Sequence, residues 1–250
     1  MMRLLRRPGA LPGALPGDRP GAPARRAAAR AAPACAVELE GVGKTYRVHG
    51  RDRTVLSDVN ARFLRGQAVG ILGRNGAGKS TLTRVITGVE HPTRGRVRRH
   101  LSVSWPLGFS GAVQASLTGA DNTRFIARIY GAPVERTLGL VEEFAELKEY
   151  FRLPVKTYSS GMMARLSFAL SLAVDFDCYV VDEVIAVGDA RFVERCRNAL
   201  LERRQRSTLL MVSHQVETIR AYCDSGAVLH DGTLTVHEDL EEAIAHYHRL

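Results

Sequence analysis

The chain has 250 residues, of which 45% are hydrophobic and 24% charged, so it can bury the core of one large domain or two small ones. No run approaches the ~18 uninterrupted apolar residues of a membrane-spanning helix, which predicts that, if the protein works at a membrane, it sits on the membrane and relies on a partner inside it. Of the net charge of +9, the first 34 residues supply +6, so the charge lies in a basic tail, and we predict no nucleic-acid partner.

The first 35 residues differ in composition from the rest of the chain. They are rich in Pro, Gly, Ala and Arg and show neither a helical nor a strand period. Such a composition cannot bury a core, which predicts a disordered extension over 1–35 and an ordered domain over 36–250. The extension also lacks a signal-peptide core and an amphipathic transit-peptide helix.

The four cysteines give no sign of a metal site or a disulfide framework. None of them pairs as Cys-x-x-Cys, and no histidine lies at metal-ligand spacing from them. This pattern predicts reduced thiols. Cys178 opens an apolar strand and is predicted to be buried.

The predicted elements alternate between strands and helices. Strands are predicted at 37–39, 44–48, 55–63 and 67–72, and a Gly-rich turn then leads into a helix over 80–87. Residues 117–153 carry helical periodicity. Further strands are predicted at 178–181, 208–212 and 227–230, with a turn at Asp231–Gly232. This order predicts an α/β core with an inserted helical stretch.

Residues 73–80 match the phosphate-binding pattern Gly-x-x-x-x-Gly-Lys-Ser. The glycines let backbone N–H groups turn inward around phosphate oxygens, Lys79 reaches the β- and γ-phosphates, and Ser80 offers its hydroxyl to Mg²⁺. A glycine turn with a chance lysine is the alternative, and the position between a predicted strand and a predicted helix disfavours it. The predicted binding residues are Gly73, Arg74, Asn75, Gly76, Ala77, Gly78, Lys79, Ser80 and Thr81.

Two acidic residues follow a predicted buried strand about a hundred residues later. Asp182 at the tip of this strand is placed to hold Mg²⁺, and Glu183 beside it to polarise an attacking water. Acids at a helix start are the alternative for such a pair. His214 ends another predicted core strand, where a histidine is placed to touch a γ-phosphate.

Ser159, Ser160 and Gly161 precede a long apolar helix. Serine and glycine in this position are typical of a helix N-cap. The functional alternative is a second phosphate-binding helix terminus.

In this order, the P-loop, Ser-Ser-Gly-Met, Val-Val-Asp-Glu, Val-Gly-Asp and Ser-His motifs resemble those of an ABC ATPase. The segments 104–108, 116–119 and 182–189 narrow the resemblance to the ATPase of bacterial capsular polysaccharide exporters of the KpsT type. It covers roughly residues 36–250. It implies a P-loop NTPase with an ABC ATPase core, an inserted helical subdomain over roughly 106–165 and an antiparallel β subdomain.

The resemblance implies ATP and Mg²⁺ as cofactors and assigns further roles. Tyr46 matches the aromatic residue that stacks on adenine, and Glu183 matches the catalytic base. His214 matches the switch histidine, and Asp189 the aspartate that crosses the dimer interface. The signature Ser159, Ser160 and Gly161 would bind the γ-phosphate held by the other subunit.

Two positions depart from the common ABC pattern. Ser160 and Met162 stand where most ABC proteins have Gly and Gln, and polysaccharide exporters show the same change. The expected glutamine after the strand ending at Trp105 is missing, because 106–108 reads Pro-Leu-Gly. Whether Gln114 replaces it stays open at this point.

The resemblance implies an energising subunit at the cytoplasmic face of the inner membrane. It would act as a homodimer on a separate transmembrane permease and move lipid-linked capsular polysaccharide. O-antigen or teichoic-acid export is the alternative; because the sequence ends at Leu250 without room for a sugar-binding domain, we expect the capsule type. A soluble ABC ATPase outside transport, which usually carries two cassettes or a long coiled coil, is the remaining alternative.

In ABC ATPases the region matching 105–119 meets the membrane subunit. Phe109 and Val113 are apolar residues among glycines and are predicted to face that partner. Trp105 and Leu107 fit either this surface or a core position between the two halves of the domain.

Overall fold

Two β-sheets organise the part of the chain that the computed structural model describes, which is residues 34–109, 111, 113–182 and 189–250. The strands are β1 (Cys35–Val48), β2 (Arg51–Leu64), β3 (Ala68–Leu72), β4 (Arg94–Arg99), β5 (Val103–Pro106), β6 (Cys178–Asp182), β7 (Thr208–Ser213), β8 (Ser225–His230) and β9 (Thr233–His237). The helices are α1 (Lys79–Thr87), α2 (Gly119–Ile129), α3 (Val134–Ala145), α4 (Ser160–Ala173), α5 (Ala190–Arg204), α6 (Val216–Tyr222) and α7 (Leu240–His248).

The smaller sheet is antiparallel, in the order β2-β1-β4. The two strands predicted at 37–39 and 44–48 are one strand, whose pairing with β2 shifts register between Leu39 and Thr45. Gly41 lies in this irregular stretch with φ of 56°, a value that glycine adopts readily. The arginine-rich edge strand β4 was not predicted, because a charged edge strand lacks an apolar alternation.

The larger sheet has the order β5-β6-β7-β3-β8-β9, and every neighbouring pair except the final β8–β9 hairpin is parallel. The turn predicted at Asp231–Gly232 is confirmed, because both residues have positive φ, as a tight hairpin turn requires. All residues of β3 and β7 are buried, which is typical of a parallel sheet covered on both faces.

Alternation along the central strands divides the core into two layers. In β6, Cys178 and Val180 pack with the smaller sheet and α1, whereas Tyr179 and Val181 pack towards α4 and α5. All four cysteines are buried free thiols, which confirms the prediction for Cys178. Burial raises its pKa to about 12, so the thiol stays protonated.

The inserted helical stretch connects β5 to β6 and contains α2, α3 and α4. Short 3₁₀ turns at Lys148–Arg152 and Val155–Thr157 join α3 to α4. The predicted subdomain limit at 165 falls inside α4, and the limits 106–165 remain a prediction. Among the helices of the described residues, none is both long and apolar enough to cross a membrane.

Candidate nucleotide-binding site

The carboxyl ends of three neighbouring parallel strands bring the predicted site residues together. Leu72 at the end of β3 pairs with Ser213 at the end of β7, and Val212 pairs with Asp182 at the end of β6. The residues that follow these strands therefore meet at one edge of the sheet, where ligands bind in α/β proteins. They include the exposed His214.

The P-loop connects β3 to α1 through a turn that glycine makes possible. Gly78 caps α1 with φ of 103° and no side-chain hydrogen bond, so the first backbone N–H groups of the helix have no capping side chain. A Cβ on Gly73 would lie 2.7 Å from the carbonyl oxygen of Leu229. The loop thus exposes N–H groups at the positive end of a helix, which is an anion-binding arrangement.

Lys79 is buried and points back along the loop. Its ammonium donates hydrogen bonds to the carbonyl oxygens of Gly73 at 2.8 Å and Arg74 at 3.3 Å. Only 7% of the residue is exposed. Its charge is therefore held inside the loop that would surround a phosphate.

A cavity of 530 Å³ opens beside the P-loop. It is lined by Tyr46, Val48, Arg53, Val55, Asn75, Gly76, Gly78, Lys79, Ser80 and Thr81. Of the predicted phosphate-binding residues, Asn75, Gly76, Gly78, Lys79, Ser80 and Thr81 line it together with Tyr46. Val48, Arg53 and Val55 were missed from sequence, because nothing local distinguishes them from other residues of a surface hairpin.

Hydrogen bonds fix Tyr46 in the wall of this cavity. Its hydroxyl donates to Glu90 Oε2 at 2.6 Å, and Lys44 Nζ lies 5.1 Å from its ring centroid. Glu90 also forms ion pairs with Lys44 at 3.2 Å and Arg84 at 2.7 Å. The hydrogen bond from Tyr46, aided by these two cations, lowers the pKa of Glu90. The ring is thereby held where the predicted contact with adenine would occur.

Ser80 and Asp182 line a second cavity of 270 Å³. A hydroxyl and a carboxylate suit a hard cation such as Mg²⁺, which usually completes its shell with phosphate oxygens and water. Among the described residues there is no group of three or more His, Cys, Asp or Glu that could hold a metal alone. The two predicted residues thus fit an ion shared with a nucleotide, and Mg²⁺ at Ser80 and Asp182 stays a prediction.

The same cavity is lined by Pro106, Leu107, Gly108 and Phe109, none of which carries an amide side chain. Gln114 does not line it. Instead, its backbone N–H donates to Asn122 Oδ1 at 2.7 Å, and Asn122 Nδ2 donates to its carbonyl oxygen at 3.1 Å. The backbone of Gln114 is therefore tied to the first turns of α2.

The predicted signature residues lie at the start of α4. Ser159 is its N-cap, and its Oγ accepts from the backbone N–H of Met162 at 3.2 Å. Ser159 and Gly161 line a cavity of 420 Å³ that shares no residue with the P-loop cavity. The N-cap role is confirmed, and the role in binding phosphate stays a prediction.

Asp189 starts α5 and is linked to α4. Its Oδ1 accepts from the backbone N–H of Phe192 at 2.9 Å, and its other oxygen pairs with Arg165. The Phe192 N–H, aided by the Arg165 charge, lowers the pKa of Asp189. The predicted base Glu183 lies outside the described residues.

The strand–P-loop–helix geometry, with an acid ending a parallel strand of the same sheet, defines a P-loop nucleotide-binding protein. A family model described as ABC transporter matches residues 56–186. The capsule polysaccharide export ATP-binding protein CtrD of Neisseria meningitidis serogroup B is 51% identical over 86% of this chain and 99% of its own length. The chain therefore belongs to the ABC transporter family and, within it, to the capsule polysaccharide export ATP-binding proteins.

Other relatives differ in their similarity to this chain. The polysialic acid transport ATP-binding protein KpsT of Escherichia coli is 44% identical over 84% of this chain and 96% of its own length. The teichoic acids export ATP-binding protein TagH of Staphylococcus haemolyticus is 32% identical over 85% of this chain and 88% of its own length. A solved dimeric ATP-binding cassette bound to ADP and Pi superposes with a TM-score of 0.70, covering 82% of this chain and 98% of that one. Its identity is 22%, so it shows the fold, and the predicted ABC ATPase core is confirmed.

Proposed function

We propose that this chain is the ATP-hydrolysing subunit of an ABC exporter that moves lipid-linked capsular polysaccharide across the inner membrane. The observation that carries the proposal is a cavity lined by Lys79, Ser80 and other P-loop residues in a chain 51% identical to a capsule polysaccharide export ATP-binding protein. The teichoic-acid relative is less similar, which favours capsule over teichoic-acid export.

The site residues divide the chemistry of phosphoryl transfer between them. The α1 N-terminus and Lys79 would bind the β- and γ-phosphates and stabilise charge on the transferred group. Ser80 and Asp182 would hold Mg²⁺, whose charge neutralises the same oxygens when it is bound. Glu183 would accept a proton from the attacking water, and His214 at the end of β7 would contact the γ-phosphate.

The active unit would be a pair of identical chains on a separate transmembrane permease. This is supported by the separation of the P-loop cavity from the cavity beside Ser159 and Gly161. In the proposed pair, the signature terminus of one copy would meet the P-loop of the other. Such a pair would work at the cytoplasmic face of the membrane, with the polysaccharide handled through the permease.

The direct test begins with the purified chain. We expect Mg²⁺-dependent ATP hydrolysis that Lys79→Ala abolishes, because a methyl group cannot supply the charge on the β- and γ-phosphates. Chelation of Mg²⁺ by EDTA should stop turnover in the wild type as well. Hydrolysis at the wild-type rate by Lys79→Ala would contradict the assignment of the P-loop.

The transported substrate is tested in a capsule-producing bacterium that lacks its own ATP-binding subunit. We expect the wild-type chain, paired with its own permease, to restore capsule on the cell surface, whereas Lys79→Ala should leave the polysaccharide inside the cell. Antibody staining of intact and permeabilised cells separates the two outcomes. If the wild-type chain hydrolyses ATP but restores teichoic acid or O-antigen instead of capsule, the substrate class is wrong.

A further inference from the structure

Arg53 lies on the wall of the P-loop cavity, opposite Tyr46. The two residues are directly paired in the antiparallel ladder of β1 and β2, so their side chains project from the same face of the sheet. Both line the 530 Å³ cavity together with Lys79, Ser80 and Thr81. Arg53 is exposed, and its side chain forms no hydrogen bond or ion pair with any described residue. Its guanidinium therefore keeps all of its donors available to a ligand.

A shift in the hairpin register puts Arg53 in this position. Lys44 pairs with Leu56, but Thr45 pairs with Thr54, so β2 contains one extra residue at Val55. Without this bulge, continuing the register would place Thr54 opposite Tyr46. A slip of one residue would also turn the side chain of Arg53 to the other face.

The bulged residue itself contacts the P-loop. A Cβ on Gly78 would lie 3.0 Å from Val55 Cγ1 and 3.1 Å from the carbonyl oxygen of Val55. Arg53 lies on the same cavity wall, two residues before Val55, a separation of about 6.8 Å in an extended strand. Its long side chain thus starts close to the phosphate-binding turn, beside the ring predicted to contact adenine.

We propose that Arg53 binds the α-phosphate of the nucleotide, an inference that rests on the proposed ATP site. The planar guanidinium matches a pair of phosphate oxygens, and arginine binds phosphate through two parallel hydrogen bonds. Lys79 lies deep in the loop and serves the outer phosphates, which leaves the α-phosphate to a cation nearer the base. Arg53 is a charged residue of the cavity wall in that position.

The experiment compares nucleotide affinities of four purified variants by titration calorimetry with ADP, GDP and ATP in EDTA. They are Arg53→Ala, Arg53→Lys, Lys79→Ala and the matched control Arg47→Ala. Arg47 is exposed on the same hairpin, where it forms the next pair of the ladder with Asp52. Because successive pairs of a ladder project from opposite faces, the side chain of Arg47 points away from the face that carries Arg53. Thermal melting without nucleotide checks that every variant folds.

Arg53→Ala should raise the Kd by the same factor, about tenfold, for ATP, for ADP and for AMP titrated in the same way, because all three carry the α-phosphate and AMP carries no other phosphate. Arg53→Lys keeps the charge but lacks the two parallel N–H donors of the guanidinium, so its Kd should rise about threefold. Arg47→Ala should bind as the wild type does, and the preference for ADP over GDP should be unchanged in every variant that still binds nucleotide.

Several outcomes would overturn the proposal. Wild-type affinity in Arg53→Ala, with binding lost in Lys79→Ala, would reject the role of Arg53 and leave the ATP site intact. A loss confined to ATP would indicate the γ-phosphate, and a changed ratio of ADP to GDP affinity would indicate the base. If Lys79→Ala also binds normally, the proposed ATP site is itself wrong.

Discussion

Glu90 is the residue that connects three cationic and aromatic side chains behind the nucleotide cavity. It accepts from Tyr46 and pairs with Lys44 and Arg84, which come from β1 and α1. Because its pKa is lowered, Glu90 remains a carboxylate at neutral pH, and it continues to accept from Tyr46 and to pair with the two cations. The position of the Tyr46 ring therefore depends on a residue that no nucleotide motif contains.

We expect Glu90→Gln to raise the KM for ATP by about threefold to tenfold while kcat changes by less than about twofold, because the amide weakens one charge-assisted hydrogen bond. Tyr46→Phe, which removes only the hydroxyl, should have a similar effect. Glu40→Gln, on the same sheet and paired with Arg98 at 3.2 Å, is the control. Steady-state ATPase assays decide, and an unchanged KM in both variants would show that the hydrogen bond between Tyr46 and Glu90 does not help to position the ring for the nucleotide.

The pH dependence of stability follows from the lowered pKa of Glu90. A carboxyl whose folded pKa is lowered contributes stability above its unfolded pKa, and the contribution is lost as pH falls through the folded pKa. The wild type should therefore lose this stability only in acid, whereas Glu90→Gln should lack it at every pH. Melting temperatures measured from neutral to acid pH would show the two curves converging as pH falls.

Helix α4 links the signature residues at its start to the core at its far end. Ser171 accepts a hydrogen bond from Trp105 Nε1 at 2.8 Å, and the Trp105 ring contacts Tyr130 and Phe176. Trp105 and Leu107 are thus core residues, which decides between the two alternatives left open for them. Val113 is half-buried against the same core, so the predicted partner surface rests on Phe109, which is 41% exposed.

Ser171→Ala should destabilise the fold by about 1–3 kcal/mol, because it leaves the buried indole N–H without an acceptor. Trp105 is the sole tryptophan, so its fluorescence reports urea unfolding directly. Variants at Trp105 lack this signal, so their unfolding is followed by circular dichroism. Two such proteins are compared: Trp105→Phe alone and Trp105→Phe combined with Ser171→Ala. If Ser171→Ala lowers the free energy of unfolding by the same amount in the wild type and in Trp105→Phe, the hydrogen bond contributes nothing to stability.

Phe109→Ala should leave ATP hydrolysis by the isolated subunit nearly normal, weaken assembly with the permease and block export, because aromatic anchors dominate protein interfaces. Co-purification of the permease is measured beside basal ATPase activity. Val236→Ala, at a residue 44% exposed on β9, is the matched control. Since Phe109 shares a cavity with Ser80 and Asp182, loss of basal activity with normal assembly would place its role in the catalytic site instead.

At the scale of the whole molecule, the composite site is the site predicted to form between two copies, from the P-loop of one and the signature residues of the other. Within one chain, these two parts belong to separate cavities. The P-loop cavity is open beside α1, and the signature residues are exposed or half-buried at the start of α4. Arg165 also joins α4 to Asp189 at the start of α5. A movement of the signature helix would therefore be coupled to the residue predicted to cross the dimer interface.

We predict that Glu183→Gln stops hydrolysis, keeps ATP binding and accumulates as an ATP-bound dimer, because the amide keeps the shape but not the base. Light scattering with ATP and Mg²⁺ measures the mass. In the same background, Gly161→Asp should remain monomeric, because its carboxylate would repel the γ-phosphate; a Cβ there meets only Ser159 Oγ, at 4.0 Å. A monomer of Glu183→Gln under these conditions would reject the composite-site hypothesis.

The sequence by itself determined the parts of the protein whose physics is local. The P-loop, its glycines and the following helix are encoded within the fifteen residues 73–87, and the buried strands that end at Asp182 and Ser213 are continuous apolar runs. Parallel strands present their carboxyl ends at one edge, so the meeting of these residues could be expected before any coordinates. The order of the motifs then predicted the family, which the comparisons confirmed.

Only the tertiary structure decided which distant residues share a surface. The bulge at Val55 sets Arg53 opposite Tyr46, and no local pattern reveals the register of an irregular hairpin. The acceptor for Trp105 lies 66 residues away on α4. Gln114, whose backbone is bonded to Asn122, does not line the cavity that Ser80 shares with Asp182. These contacts depend on how sheets and helices pack, and packing joins residues whose separation along the chain carries no signal of their proximity.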